Sequence, residues 1–122
     1  MDHEYSISGN LWAGDAAPDA RRFPCEYIFE ELVFELVPAE SRVSVTLKDR
    51  ARAAEISKEK LVEICRRLSL EYGAKVGLCR THEVYGVANV FNGGSDYEVV
   101  SEERFVCEFE NGAELKRETI IC

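Results

Sequence analysis

The chain has 122 residues, 46% hydrophobic and 31% charged, with a formal net charge of −8. That length suits one domain, able to bury a core without disulfide or metal staples, and that balance excludes a disordered chain. No apolar run approaches the about 20 residues of a membrane span, and an acidic total disfavours nucleic acid, whose phosphates need a basic surface.

Asp2–Leu11 alternates Tyr5, Ile7, Gly9 and Leu11 with Ser6, Ser8 and Asn10, which is strand periodicity. Turn chemistry over 13–19 ends it. Glu26–Val37 carries both a helical spacing (Ile28, Leu32, Leu36) and a strand alternation (Leu32, Phe34, Leu36). Its aromatic and β-branched content favours one strand. After a turn at Pro38–Ser41, Arg42–Ala53 reads as a strand with Val43, Val45 and Leu47 on one face and Ser44, Thr46, Lys48, Arg50 and Arg52 on the other.

Lys58–Tyr72 is an amphipathic helix. Ser57 is placed to cap it, and Glu59 sits where the helix dipole favours negative charge. Leu61, Ile64, Cys65, Leu68 and Tyr72 form its apolar stripe, and Gly73 supplies the left-handed stop. Lys75–Cys79, Glu83–Phe91, Tyr97–Val100 and Arg104–Glu110 read as further strands, with a glycine-rich turn at Asn92–Asp96. Asn111-Gly112 is a hairpin signal joining the last of these to a strand around Leu115–Ile121.

The expected fold is therefore α+β and a single domain over 1–122. An antiparallel sheet of about six strands, in the order β-β-β-α-β-β-β, packs on or curls around one amphipathic helix. Two apolar sheet faces would exceed what one helix covers, with Val87, Phe91, Val100 and Val106 as candidates for the second. A homodimer is the corresponding expectation.

The start, Met1-Asp2-His3-Glu4, has neither the basic nor the apolar region of a signal peptide, so a cytoplasmic location is expected. The five widely spaced cysteines then read as reduced thiols. Cys79-Arg80-Thr81-His82 is a lone C-x-x-H pair, short of the three or four ligands of a zinc site. The same two residues face opposite ways if the segment is extended, against a Cys–His dyad. No phosphate-loop or nucleophile-elbow motif occurs. No metal, cofactor or catalytic residue is assigned, and the reading leans away from an enzyme. A small enzyme without linear motifs stays as the third alternative.

Charge is unevenly spread. Residues 1–40 carry nine acids and two bases, residues 41–82 five acids and ten bases, and residues 83–122 nine acids and three bases. Two site readings follow. Lys48, Arg50 and Arg52, leaving one strand face, form an anion strip, with Trp12, Tyr85, Asn89 and Asn92 adding stacking and amide contacts. The competing reading is neutralisation by Glu31 and Glu35, or by Glu108 and Glu110. Glu30, Glu31, Glu102 and Glu103 are acidic positions that would steer the chain to a basic partner. The first functional expectation is a small acidic, non-enzymatic binding protein that occupies a partner's surface, of inhibitor, immunity or adaptor type. The second is a binder of a phosphorylated metabolite or nucleotide through the Lys/Arg strip.

Overall fold

The fold comes from a computed structural model that describes residues 2–12, 24–39, 41–89 and 96–121. Its strands are β1 (Asp2–Trp12), β2 (Glu26–Phe29), β3 (Leu32–Pro38), β4 (Val43–Leu47), β5 (Lys75–Asn89), β6 (Asp96–Glu110) and β7 (Ala113–Ile121). They form one antiparallel sheet in the order β2-β3-β4-β1-β5-β6-β7. The first strand of the chain is thus the middle of the sheet, with β4 on one side and β5 on the other. The helix α1 (Lys58–Tyr72) carries the chain across β1 from β4 to β5.

The helix forms where its sequence signals place it. The Ser57 hydroxyl accepts from the Lys60 amide at 3.1 Å, and Gly73 ends it at φ 56°. Leu61, Ile64, Cys65 and Leu68 are fully buried against the sheet. The sheet answers with Ile7 and Leu11 of β1, Phe34 and Leu36 of β3, Val43 and Val45 of β4, Val76 and Leu78 of β5, and Phe105, Cys107 and Phe109 of β6. Each set recurs at period two, so one face of β1, β3, β4, β5 and β6 enters a single core, whereas β7 is exposed along its length. The other face has no described element over it. Near β1 it carries small and polar side chains: Ser6, Ser8 and Asn10, Ser44 and Thr46, Gly77, Cys79 and Thr81. Among the described residues no helix is long and apolar enough to cross a membrane.

Four details of the expected fold are corrected. Among the described residues there are seven strands, four before the helix and three after it. Glu26–Val37 is a hairpin, because the chain reverses at Glu30-Glu31 with Glu30 at φ 55°. Lys75–Cys79 and Glu83–Asn89 belong to one long strand, as do Tyr97–Val100 and Arg104–Glu110; irregular register near Val84/Tyr85 absorbs the change of phase. The strand expected over Arg42–Ala53 stops at Leu47. Asp49 accepts a hydrogen bond from the Ala51 amide at 3.2 Å and starts a 3-10 helix, Arg50–Glu55. The Asn111-Gly112 hairpin forms as expected, with both residues at positive φ, 49° and 83°. Of the four residues expected on a second apolar face, Val106 is half-buried on the open face of β6, and Phe91 lies outside the described residues.

Candidate functional site

The anion strip is not a strip. With β4 ending at Leu47, the three cations leave a bend and a 3-10 helix, and each meets a carboxylate. Lys48 Nζ is 3.3 Å from Glu26 Oε1. Arg52 pairs with Glu55 at 3.2 Å and Glu31 at 3.4 Å, and donates to the Glu31 carbonyl at 3.2 Å. Arg50 is held most loosely, 3.9 Å from Glu4 Oε2 with its side chain 72% exposed. Neutralisation by Glu31 is thus realised for Arg52.

Of the companions expected beside the strip, Tyr85 lies near enough to Arg50 to feel its charge, and Trp12 lies elsewhere. Trp12 is at the far end of β1, where Lys75 Nζ lies 5.3 Å from its ring centre. Tyr85 donates to Glu83 Oε2 at 2.5 Å. That bond, then desolvation and the charges of Glu83 and Glu4, push its phenol up to about 12, with Arg50 pulling the other way. Asn89 contributes backbone pairing with Asp96, and Asn92 lies outside the described residues.

The four acidic positions also have internal partners. Glu30 meets Lys60 at 2.8 Å, and Glu31 meets Arg52. Glu102 meets Arg104 at 2.7 Å on the open face. Glu103, on the helix-bearing face, meets Lys58 at 3.2 Å and Arg80 at 3.7 Å.

The open face shows where negative charge collects. Glu4, Glu83 and Glu102 stand directly opposite one another across β1, β5 and β6. Like charges so placed repel, and each has its own neighbour: Arg50, Tyr85 and Arg104. Further along the same face, register places Glu108, Glu110 and Glu118 among Lys75, Arg104 and Lys116.

The helix-bearing face holds a polar cluster beyond the first turn of α1. In one row of the sheet, Tyr5, His82 and Glu103 are directly opposite across β1, β5 and β6. The Tyr5 and His82 rings stack at 4.2 Å and 5°. His3 Nδ1 is 2.9 Å from His82 Nε2, while the two ring centres are 5.2 Å apart. The difference is about one imidazole ring across, so the two nitrogens lie on the line joining the ring centres. That is a head-on N–H···N hydrogen bond, with one ring donating and the other accepting. Arg80, 14% exposed, lies 5.9 Å from the Tyr5 ring centre and donates to the Ile56 carbonyl at 2.9 Å. Its Nε is buried without a partner among the described residues.

Beside this cluster, between β1 and the 3-10 helix, is an open cleft of about 330 Å³ lined by His3, Glu4, Tyr5, Arg50, Ala51 and Ala54. His3 has no motif, and its partner is 79 positions away, so no local signal marks the pair. Cys79 and His82 do leave opposite faces of β5, as extension requires. The Cys79 thiol is 3.7 Å from Thr81 Oγ1 on the open side. No group of three or more metal-ligating side chains occurs among the described residues. Cys65 and Cys107 are buried free thiols in the core. Hydrogen bonding with Cys107, followed by burial, holds the Cys65 thiol above its usual range, so it is inert as a nucleophile.

No family model, curated protein or solved structure matches this chain, and the functional reading rests on the geometry of its own residues.

Proposed function

We propose that this chain is a non-enzymatic binding protein that occupies a basic surface of a protein partner through the open face of its sheet. The observation that supports the reading is the row of carboxylates on that face, Glu83 and Glu102 with Glu108, Glu110 and Glu118, against Lys75, Arg104 and Lys116. The face is flat in chemistry, with serine, threonine and glycine near β1 and no described element above it. Such a surface meets a partner by charge complementarity, which sets the on-rate and the choice of partner more than the affinity. The acidic positions expected from sequence alone contribute unequally. All four hold a cation of the fold itself, and of them Glu102, paired with Arg104, is on this face.

The test is capture from native cell extract with the intact chain and with a variant reversed at Glu83, Glu102 and Glu108 to lysine, each checked for folding by circular dichroism. The expected result is a basic protein retained at low salt and released at about 1 M, where the Debye length is about 3 Å. The same partner should be lost from the reversed variant. Retention indifferent to salt, or equal retention by the folded variant, would reject the reading.

A further inference from the structure

The cleft between β1 and the 3-10 helix shares Glu4 with the edge of the acidic face and otherwise has its own chemistry. Arg50 opens into it with a single loose ion pair among the described residues, at 3.9 Å. His3 lines it too, and its Nδ1 is occupied by His82. Tyr5 forms part of the lining, with its ring fixed by the stack on His82. Ala51 and Ala54 leave the opposite wall small and apolar.

We propose that this cleft binds a small ligand through one oxyanion group, a phosphoryl or a carboxylate, held by Arg50 and His3. The guanidinium suits that group because its planar fork donates two parallel hydrogen bonds to an oxyanion. Glu4 acts as the resident carboxylate: it takes the Arg50 charge when the cleft holds no ligand and is displaced by a better acceptor. Lys48 and Arg52 do not take part, since Glu26, Glu31 and Glu55 hold them at 3.2–3.4 Å.

The histidine pair fixes the ring that faces the cleft: one imidazole donates and the other accepts across the 2.9 Å line, so His3 is held in one orientation. The groups facing the pair are Glu4 and Tyr5 from β1, Arg50 from the 3-10 helix, Arg80 from β5, Glu103 from β6, and Lys58 from the start of α1 beyond Glu103. Glu103 holds Lys58 and Arg80, so Arg50, shared with Glu4 at 3.9 Å, is the cation that the cleft offers to an anion.

The experiment is a two-dimensional NMR titration of the full chain with inorganic phosphate and, separately, with acetate. Each is compared with sodium chloride at equal ionic strength. The expected result is saturable movement of the His3, Tyr5, Ala51 and Ala54 amide signals with one or both oxyanions. The tighter of the two assigns the group as phosphoryl or carboxylate. Arg50→Ala, at an exposed position, should weaken binding by about tenfold or more. Glu4→Gln should tighten it. Shifts reproduced by chloride, or an Arg50→Ala variant that binds as tightly as the parent, would overturn the proposal. The acidic-face reading is tested at Glu83, Glu102 and Glu108, none of which lines the cleft, so the two readings stand or fall separately.

Discussion

The Ser69 hydroxyl accepts a hydrogen bond from the Gly112 amide at 2.9 Å while donating to the Arg66 carbonyl at 2.7 Å. One buried side chain thus joins the last turns of α1 to the tight turn of the β6–β7 hairpin. Ser69→Ala removes the acceptor and leaves the Gly112 N–H without a partner in a partly buried place. The expected loss is about 1–2 kcal/mol, read as a lower urea midpoint with an unchanged slope. No loss would mean that solvent reaches that amide.

Gly9 and Gly77 are neighbours in adjacent strands with opposite tolerances. A Cβ at Gly9 would fall 1.9 Å from the Gly77 carbonyl oxygen and 2.8 Å from Leu78 Cδ2. Backbone has to move, so Gly9→Ala should cost upward of about 3 kcal/mol. A Cβ at Gly77 would meet the Trp12 ring at 3.4 Å, an ordinary contact. Gly77→Ala should stay within about 1 kcal/mol of the parent. Thermal unfolding of the two variants side by side tests the contrast.

Glu30 is one of two non-glycine residues at positive φ among the described residues. The left-handed conformation costs an L-residue about 1–2 kcal/mol, and glycine escapes it. Glu30→Gly also loses the ion pair with Lys60, whose partners are 37% and 61% exposed. Exposed pairs contribute about 0–1 kcal/mol, and glycine adds entropy to the unfolded chain. The net expectation is a gain of about 0.5 kcal/mol, visible as a small rise in the melting temperature. A fall would show that the Lys60 contact outweighs the backbone strain.

Glu63 is held between Arg66 at 2.6 Å and Arg67 at 2.9 Å on the outer face of α1. Their hydrogen bonds lower its carboxyl from 4.5 to about 2. A depressed folded-state value means stability that is complete above about 4.5 and lost as pH falls towards about 2. With these side chains 38–58% exposed, solvent screens the effect. The increment should be about 0.5 kcal/mol. Glu63→Gln should remove it, so the stability difference between parent and variant should shrink across that acid window. A difference that does not change with pH would sink this account.

The helix was legible at both ends because three independent signals agree there: a serine cap, an apolar stripe of period 3.6, and a glycine in the left-handed stop. Asn111-Gly112 was legible because its residues suit positive φ at both turn positions. The β2–β3 hairpin was hidden because Glu30-Glu31 has no turn preference of its own, and the core set Leu32, Phe34 and Leu36 dictated the reversal. Lys48, Arg50 and Arg52 mimicked a strand face because spacing of two also fits a bend followed by a 3-10 turn. Asp49 held the contrary signal, a side chain able to cap the Ala51 amide. The His3–His82 contact depends on the pairing of β1 with β5, a relation between distant segments that no window of sequence contains.

Placing the earliest strand at the middle of the sheet has a kinetic consequence. β2-β3-β4 and β5-β6-β7 are each joined in chain order, so their pairings close short loops. The partners of β1 are remote: Leu11 pairs with Val43, Trp12 with Lys75, and Asp2 with Tyr85. Closing such loops costs entropy before any contact repays it, and folding slows as sequence separation grows. On a ribosome, β1 emerges before both its partners and waits until β5 is complete at Asn89 before both its edges are satisfied. During that interval its two open edges are the ones that neighbouring chains can capture.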